Sequence, residues 1–407
     1  MSLVKISKDS KSLSGTVDLV SSKSESNRVL IINSLLGDKI NINNLSNSDD
    51  TQLMKKLLES NQKELNTNNA GTVMRFLTSF FAIKDSETIL TGAERMKERP
   101  IKELVDVLKF LGSDITYLEK ENYPPLLIKG KKLSGGEISI NGNISSQYIT
   151  SLLLIAPLLE NGLTINIKEN ISSKPYIEMT LTLMSYFGIK SSFEGSKIIV
   201  ENQKYIPNNF TVESDWSSAS YWYGMAAFAE KLDLKLLYLK KDSLQGDSII
   251  AKIMESFGIK TDYVEDGVIL SKTNNVVDSF EFDFSDCPDL AQTIAFLCTG
   301  LKIKAKLTGL ESLRIKETDR IRALANEISK TNTKIFEGDN FLEIYPTDKN
   351  LNLNIPFSSY EDHRMVLGAS MLSMIDEVSI SDYSCISKSY PDFFNNLRKA
   401  YFNVKDC

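Results

Sequence analysis

Two local patterns alternate along this chain, and their regular return restricts the fold to an assembly of similar units. The first pattern is a short strand, a polar turn and an apolar helix. Its last four turns begin near Ser145, Asp215, Asp286 and Glu361, about 72 residues apart. Such self-similarity is typical of one supersecondary unit that is repeated, so the sequence predicts several small α/β units in series. The strands expected for this pattern are 17–19, the region of Leu65, 138–140, 210–212, 282–284 and 353–355.

The second pattern is an amphipathic helix that ends in a left-handed residue, followed by a strand, a tight turn and another strand. The expected helix ends are Gly112, Gly188, Gly258 and Asn332, residue types that adopt positive φ easily. Hairpin turns are expected at 194–196, 266–267 and 337–339. Together the patterns predict six units of βαβαββ type. Too few residues separate Asp50 from Asn69 for a helix and two strands, so the first unit is expected to lack its hairpin.

Length and composition restrict the class of protein. A chain of 407 residues should form two domains, and its 42% hydrophobic and 25% charged residues are typical of soluble globular proteins. No apolar run approaches the roughly 18 residues of a membrane span, and the chain starts without a signal peptide, so we expect a cytoplasmic protein. The net charge of -6 argues against nucleic acid as a partner. Four scattered cysteines and one histidine, His363, argue against a metal site, and we expect no cofactor.

Polar and cationic residues collect where the predicted helices begin. One series occupies 22–28, 69–72, 145–147 and 361–364, and the other occupies 95–100, 172–176, 314–320 and 387–389. Helix N-termini attract anions through their unpaired N–H groups and their dipole, and arginine and lysine add full charges. Gly71, at a predicted helix start, would let backbone N–H groups approach a ligand closely. The arrangement predicts a cleft for a ligand with several anionic groups.

Simpler interpretations exist for each of these features. A single polar helix start is more often an ordinary cap or a solvated charged face, and a non-catalytic repeat scaffold would explain the periodicity. Nucleotide binding is not indicated, because the chain has no P-loop motif and no dinucleotide-binding glycine motif after its first strand. A scaffold, however, has no need of cations at so many helix starts. Those cations are Lys23, Arg95, Arg320 and Arg364.

Five motifs in chain order resemble the signatures of the 5-enolpyruvylshikimate-3-phosphate synthases (EPSP synthases). They are Ser22-Lys23-Ser24-x-Ser26-Asn27-Arg28, Asn69-Ala70-Gly71-Thr72-x-Met74-Arg75, Leu90-Thr91-Gly92 followed by Arg95-Met96-Lys97-Glu98-Arg99-Pro100, Lys316-Glu317-Thr318-Asp319-Arg320 and Asp362-His363-Arg364-Met365. Shorter matches at 121–126, 173–176 and 245–247 extend the resemblance over nearly the whole chain.

The resemblance implies the enolpyruvyl transferase fold, an α/β (α+β type) architecture of two domains. Each domain has three repeat units with helices inside sheets. Two crossing strands join the domains, which close on their substrates. The implied domains are 1–20 plus 214–407, which holds the N-terminal strand and units 4–6, and 21–213, which holds units 1–3. A monomer is expected, with small-molecule substrates, no nucleic acid and no membrane partner.

The resemblance also implies a reaction. The carboxyvinyl group of phosphoenolpyruvate is transferred to the 5-hydroxyl of shikimate 3-phosphate through a tetrahedral intermediate, with release of phosphate and inhibition by glyphosate. The implied catalytic residues are Asp289, Glu317 and Lys23. The implied phosphoenolpyruvate ligands are Lys23, Gly71, Arg95, Gln147, Arg320, Arg364 and Lys388. The implied shikimate 3-phosphate ligands are Ser24, Arg28, Ser145, Ser146, Gln147, Ser173, Tyr176, Asp289 and Lys316. No metal ligand is implied.

The chain departs from the family pattern at a few places. Its first unit is short, Phe76 stands where relatives usually have proline, and Ser312 replaces an amide that many members use near the shikimate phosphate. The nearest alternative is the enolpyruvyl transferase that acts on UDP-N-acetylglucosamine. That enzyme is expected to carry a loop cysteine beside glycines and a Lys-Asn pair near its start. This chain reads Ser22-Lys23-Ser24 there and has no cysteine before Cys287.

Overall fold

The computed structural model describes residues 2–142, 146–169 and 171–407. The strands are β1 (Leu3–Ser7), β2 (Ser12–Val17), β3 (Ile42–Asn43), β4 (Glu64–Asn66), β5 (Glu87–Thr91), β6 (Asp114–Tyr117), β7 (Leu126–Lys129), β8 (Gly136–Asn141), β9 (Leu163–Lys168), β10 (Ser191–Glu194), β11 (Lys197–Val200), β12 (Phe210–Thr211), β13 (Lys231–Leu237), β14 (Phe257–Val264), β15 (Gly267–Val276), β16 (Ser279–Asp283), β17 (Lys304–Thr308), β18 (Lys334–Glu337), β19 (Leu342–Tyr345), β20 (Phe357–Ser358), β21 (Val378–Ser381) and β22 (Asn403–Asp406).

The α-helices are α1 (Lys23–Leu35), α2 (Asp49–Leu58), α3 (Gly71–Ile83), α4 (Glu94–Lys97), α5 (Lys102–Phe110), α6 (Ser146–Ile155), α7 (Lys174–Tyr186), α8 (Trp216–Phe228), α9 (Ile250–Ile253), α10 (Ala291–Leu301), α11 (Arg320–Ser329), α12 (His363–Ser370) and α13 (Phe393–Lys399). Short 3-10 turns at Pro288–Leu290 and Tyr383–Lys388 carry residues of the candidate site, and the 3-10 turn Glu311–Ile315 directly precedes two more, Lys316 and Glu317. In the described ranges, every helix is too short or too polar to cross a membrane.

The chain divides into two compact units. Unit 1 comprises Met1–Ser22, Asn47–Asp49 and Glu213–Cys407, and unit 2 comprises Lys23–Ser46 and Asp50–Val212. The short segment Asn47–Asp49 groups with unit 1, which nothing in the sequence indicated. The domain boundaries that the family resemblance implies stay a prediction.

Unit 1 contains three four-stranded sheets, with strand orders β20-β21-β1-β22, β14-β15-β13-β2 and β16-β17-β19-β18. In each sheet one edge pair is parallel and the other two pairs are antiparallel. The N-terminal strands β1 and β2 complete two of these sheets, so the chain start is built into the repeat. The predicted repetition of small α/β units is therefore confirmed in unit 1.

Unit 2 repeats the same strand order in β4-β5-β7-β6 and in β10-β11-β9-β8. Its remaining sheet has only the parallel pair β12 and β3. The chain passes from β3 through α2 directly to β4, so the hairpin that would add two strands to this sheet is missing. The shortened first unit predicted from the sequence is thus the two-stranded sheet.

Helices with apolar residues on every side form the core of each unit. Nearly all residues of α8, α10 and α12 are buried in unit 1, and α3 is buried in the same way in unit 2. A helix without a polar face must be covered all round. In unit 1, α8 packs on β13 to β15, α10 on β17 and α12 on β21, and the three helices also contact one another. Each helix therefore has its own sheet on the outer side.

The predicted helix ends and hairpin turns agree with the structure. Gly112, Gly188, Gly258 and Asn332 all have positive φ, at 104°, 85°, 74° and 68°. The predicted strand at 353–355 is wrong, because the strand of that unit is β20, which pairs with β21 from Phe357 onward. Leu353 is buried but does not lie in a strand. The alternation of apolar and polar residues at 353–355 therefore predicted a strand where none forms. The predicted strand at 17–19 begins too late, since β2 already ends at Val17.

Candidate active site

The first cluster, in unit 1, is built around the guanidinium of Arg320. Asp319 caps α11 by accepting from the N–H of Arg322 at 3.1 Å, which places Arg320 at the start of the helix. Arg320 Nε donates to Asp362 Oδ2 at 2.7 Å, Nη1 to Asp289 Oδ1 at 2.9 Å and Nη2 to Glu317 Oε2 at 3.0 Å. Only 2% of its side chain is exposed. One buried arginine thus fixes three carboxylates from three separate turns of the chain.

Arg364 is the second cation of this cluster. It lies in the first turn of α12, where Asp362 caps the helix by accepting from the N–H of Arg364 at 2.9 Å. Its Nη2 donates to Asp289 Oδ2 at 2.8 Å, and its Nη1 donates to the hydroxyl of Tyr221 at 3.3 Å. Asp289 is therefore held between Arg320 and Arg364, with one carboxylate oxygen on each guanidinium.

Two lysines complete the charged cluster. Lys388 Nζ donates to Glu317 Oε1 at 2.6 Å, so Glu317 lies between Lys388 and Arg320. Lys316 Nζ lies 4.0 Å from Asp289 Oδ1. Burial alone would raise the pKa of Asp289, but the charges of Arg364, Lys316 and Arg320 outweigh it and hold that pKa well below the usual range. The Asp289 carboxylate is therefore ionised at any physiological pH.

The second cluster, in unit 2, surrounds Arg28 of α1. Its Nε donates to Thr180 Oγ1 at 2.8 Å, its Nη1 to the Ser24 carbonyl at 2.7 Å and its Nη2 to the Tyr176 carbonyl at 3.1 Å. Burial lowers the pKa of Arg28 to about 10, and the nearby ionisable groups Tyr176 and Glu25 only partly offset it. Neutral hydroxyls and carbonyls thus hold a buried cation, an arrangement suited to an anionic ligand.

A third group of residues lies at the start of α3. An ideal Cβ on Gly71 would be 2.6 Å from Arg75 Nη1 and 2.8 Å from Arg99 Nη2, so two guanidiniums face the Gly71 backbone at close range. Both arginines are buried. Gln147 Nε2 donates to Thr72 Oγ1 at 3.2 Å, which ties the start of α6 to the start of α3. Two cations and a helix N-terminus here meet the requirements of an anion site.

Lys23 is the first residue of α1 and pairs with Asp50. Its Nζ lies 3.2 Å from Asp50 Oδ2, and both side chains are largely buried. A lysine at a helix start can stabilise an anion or transfer a proton, and a buried carboxylate partner keeps it oriented.

Comparison with known proteins decides the family. The family model described as EPSP synthase (3-phosphoshikimate 1-carboxyvinyltransferase) matches residues 7–61 and 55–397. A 3-phosphoshikimate 1-carboxyvinyltransferase from Bacteroides fragilis (strain YCH46) is 42% identical over 397 residues, 97% of each chain. The enzyme of the same name from Haemophilus influenzae (strain PittGG) is 38% identical over 95% of this chain and 96% of its own. This chain belongs to the EPSP synthase family.

Solved structures agree on the fold. A 2.37 Å structure of EPSP synthase from Acinetobacter baumannii superposes with a TM-score of 0.78, at 19% identity over 100% of both chains. The resemblance found in the motifs, and the enolpyruvyl transferase fold expected from it, are confirmed. The family favours this interpretation over the UDP-sugar transferase and over a scaffold without catalysis.

The EPSP synthase motifs bring most of the predicted residues into the clusters above. Asp289, Glu317, Arg320, Arg364, Lys316 and Lys388 share one cluster in unit 1. In unit 2, Ser24 and Tyr176 contact Arg28 through their carbonyls, and Gln147 reaches Thr72 at the α3 start. Ser173 is buried with φ of 58° just before α7, and Ser146 is the first residue of α6. Ser145 lies outside the described residues.

Arg95 is only partly buried, and its role as a phosphoenolpyruvate ligand stays a prediction. It lies in α4, its Nη1 pairs with Glu98 at 3.0 Å, and 37% of its side chain is exposed. The arginine of the same motif that faces Gly71 is Arg99. The family resemblance pointed to Arg95 alone, and the burial of Arg99 beside Gly71 is seen only in the structure.

The contacts that other residues make in these clusters were not predicted from the sequence. Asp362 joins Arg320 to the start of α12, and Tyr221 of α8 contacts Arg364. Asp50 contacts Lys23. Phe76, at the position of the family's usual proline, is buried with its ring centroid 5.7 Å from Arg28 Cζ. Each belongs to a segment far along the chain from its partner, which is why motif spacing alone did not show it. No group of three metal-ligating side chains is found within 2–142, 146–169 and 171–407.

Proposed function

We propose that this chain transfers the carboxyvinyl group of phosphoenolpyruvate to the 5-hydroxyl of shikimate 3-phosphate, giving 5-enolpyruvylshikimate 3-phosphate and phosphate. The observation that carries this proposal is the Arg320 cluster, where two carboxylates suited to proton transfer lie among four cations suited to an anionic substrate. Family membership supports the same reaction.

The chemistry divides into an addition and an elimination. In the addition, the 5-hydroxyl oxygen bonds to C2 of phosphoenolpyruvate while a proton is delivered to C3, which gives a tetrahedral intermediate. In the elimination, C3 loses a proton and the C2–phosphate bond breaks. A base near the hydroxyl, an acid and base near C3, and cations around the phosphate are therefore required.

We assign these roles to residues of the clusters. Asp289, ionised and held between two arginines, would accept the hydrogen bond or the proton of the 5-hydroxyl. Glu317, between Lys388 and Arg320, would carry the proton to and from C3, and Lys23 would assist at the phosphate. Cations on both sides of each carboxylate prevent it from reorienting freely. Each carboxylate therefore presents its oxygens to the substrate in one fixed orientation.

The phosphoenolpyruvate ligands in this proposal are Lys23, Gly71, Arg95, Gln147, Arg320, Arg364 and Lys388, with Arg99 added to them. The geometry favours Arg99 because its guanidinium is buried against Gly71. Shikimate 3-phosphate would bind to Ser24, Arg28, Ser145, Ser146, Gln147, Ser173, Tyr176, Asp289 and Lys316. The hydrogen-bond partners of the Arg28 guanidinium include a neutral hydroxyl and two carbonyls, which supports an anion at that position. A monomer in the cytoplasm, expected from the sequence, is part of the proposal.

Phosphate release tests the function directly. Purified protein is mixed with phosphoenolpyruvate and shikimate 3-phosphate, and inorganic phosphate is measured over time. Parallel reactions contain UDP-N-acetylglucosamine or no acceptor. Release that depends on shikimate 3-phosphate supports the proposal, and release only with the UDP-sugar would replace it by the alternative transferase. Sedimentation of the same sample checks the monomer.

A further inference from the structure

A buried glutamate remote from the substrate residues is hydrogen-bonded to the chain segment that directly precedes one of them, Arg364. Glu327 lies on α11 two helical turns after Arg320 and is fully buried. Its Oε2 accepts from Lys330 Nζ at 2.6 Å and from the Ser358 N–H at 2.9 Å, and its Oε1 accepts from the Tyr360 hydroxyl at 2.8 Å. One carboxylate therefore fastens α11 to the segment that follows β20.

That segment has an unfavourable backbone. Tyr360 and Glu361 have φ of 54° and 56°, so two successive residues other than glycine are left-handed. Such residues persist only where their surroundings hold them. The next residue, Asp362, accepts a hydrogen bond from Arg320 Nε and caps α12. Arg364 follows in the first turn of that helix. The direction in which Asp362 and Arg364 point is thus set by the two strained residues before them.

The α11 helix therefore contacts the 358–362 segment at two places. Arg320 at its start binds Asp362, and Glu327 further along binds Ser358 and Tyr360. Lys330 adds a bond to the Pro356 carbonyl at 3.0 Å, which lies just before the same segment. Both ends of the 358–362 segment are therefore attached to α11. These attachments hold Tyr360 and Glu361 in their left-handed conformation.

We propose that Glu327 and Tyr360 are positioning residues for the phosphoenolpyruvate side of the site. Their hydrogen bond holds the left-handed segment so that Asp362 orients Arg320 and so that Arg364 points at Asp289. This inference rests on the proposed function, because Arg320 and Arg364 are its phosphoenolpyruvate ligands. Neither Glu327 nor Tyr360 is required to touch a substrate.

The test uses Tyr360→Phe, which removes one hydroxyl from a half-buried ring and leaves its shape. Loss of a hydrogen bond to a charged group commonly changes an equilibrium by a factor of about 10 or more. We expect the KM for phosphoenolpyruvate to rise about tenfold, with the KM for shikimate 3-phosphate unchanged. Glu327→Gln should raise the same KM, and the double variant should raise it by less than the product of the two single effects, because both changes act on the hydrogen bond between these two side chains.

The matched control is Tyr383→Phe. Tyr383 also donates its hydroxyl to a carboxylate, that of Asp406 at 2.7 Å, and it lies in the same unit but outside the 358–362 segment. This variant should keep both KM values. If Tyr360→Phe kept the KM for phosphoenolpyruvate within twofold of the wild type, or lowered kcat alone with both KM values unchanged, the positioning role would be overturned.

Amide hydrogen exchange gives a second result that does not depend on turnover. In Tyr360→Phe the peptide covering 357–364 should exchange faster than in the wild type, while Tyr383→Phe should leave that peptide unchanged. Unchanged exchange in Tyr360→Phe would overturn the inference even in an active enzyme. A wild-type protein that releases no phosphate would instead overturn the proposed function, and the exchange data would still decide whether Tyr360 holds the segment.

Discussion

Gly71→Ala should damage substrate binding without damaging the fold. Gly71 is the first residue of α3 and does not have a positive φ, so alanine fits its backbone. Replacing glycine by alanine at a compatible position typically stabilises a protein by about 0.4–1 kcal/mol. The added methyl group, however, would lie 2.6 Å from Arg75 Nη1 and 2.8 Å from Arg99 Nη2. The methyl group is therefore expected to displace the two guanidiniums and to leave the backbone unstrained.

The size of the effect follows from these distances. Ordinary contact begins at 3.4 Å, so the nearer guanidinium must retreat by several tenths of an ångström, and both are flexible side-chain ends that can do so. Moving a charge pair from about 2.8 to about 3.6 Å at an effective dielectric of about 20 loses about 1.3 kcal/mol of attraction. That loss corresponds to about tenfold in affinity for each displaced cation that contacts the ligand. The KM for phosphoenolpyruvate should rise about 10- to 100-fold.

Steady-state phosphate release and thermal unfolding test this together. The expected result is a higher KM for phosphoenolpyruvate, an unchanged KM for shikimate 3-phosphate and a Tm equal to or above that of the wild type. In the Arg99→Lys background, Gly71→Ala should have a smaller effect, because one of the displaced groups has been replaced. A normal KM for phosphoenolpyruvate in a stable Gly71→Ala protein would show that the two arginines do not contact that substrate.

Three further results are expected. Glu317→Gln and Asp289→Ala should lower kcat by about 10²–10⁴ with smaller changes in KM, because proton transfer contributes that much and binding rests on the cations; near-normal turnover in Glu317→Gln would remove its acid/base role. Arg95→Ala and Arg99→Ala should each raise the KM for phosphoenolpyruvate about tenfold or more, because each removes a cation assigned to that substrate; an unchanged KM in either variant would remove that arginine from the ligands. Glyphosate should compete with phosphoenolpyruvate, and Gly71→Ala should raise its inhibition constant at least as much as the KM; equal inhibition of both proteins would exclude Gly71 from that site.

The repeat architecture could be predicted from the sequence because it depends on local signals. Left-handed residues such as Gly112 and Asn332 end helices wherever they occur, and hairpin turns require their own residue types. The shortened unit was predictable by counting residues between Asp50 and Asn69. Strand positions were less certain, as 353–355 shows, because a strand exists only where a partner strand is available to pair with it.

The candidate site was predictable only in part. Its motif residues were found from the family resemblance, but the approach of Arg99 to Gly71 depended on how the chain packs after the four-residue helix α4. The roles of Asp362 and Tyr221 depended on contacts between distant segments, which no spacing rule contains. Glu327 looked like an ordinary charged position on an amphipathic helix, and only its burial and its three bonds distinguish it.

Asp247 lies beside the Arg320 cluster, and we expect it to make the protein's stability depend on pH. It is buried and accepts a hydrogen bond from Ser217, whose hydroxyl in turn receives Arg364 Nη2 at 3.4 Å. Burial, helped by the negative charge of Asp289, raises the pKa of Asp247 to about 6. The neutral form is therefore the one that the fold prefers.

The sign of the effect follows from linkage. A group whose pKa is higher in the folded than in the unfolded state gives stability that is fully present below the unfolded pKa, near 3.9, and is lost as pH rises through the folded pKa. Asp247→Asn keeps a neutral side chain at every pH, so its Tm relative to the wild type should increase between about pH 4 and pH 8.

The matched control is Asp266→Asn, in the same unit. A hydrogen bond from Lys235 lowers the pKa of Asp266, so its stabilising contribution is present above its unfolded pKa and is lost as pH falls. The Tm difference for Asp266→Asn should therefore be small, because this pair is exposed, and nearly constant above about pH 4.5, changing only as pH falls below about 4. Thermal unfolding of the three proteins at pH 4.5, 6 and 8 makes the comparison. If the Tm difference between Asp247→Asn and the wild type were the same at all three pH values, Asp247 would not titrate in this range. The negative charge of its neighbour Asp289 would then not raise the pKa of Asp247.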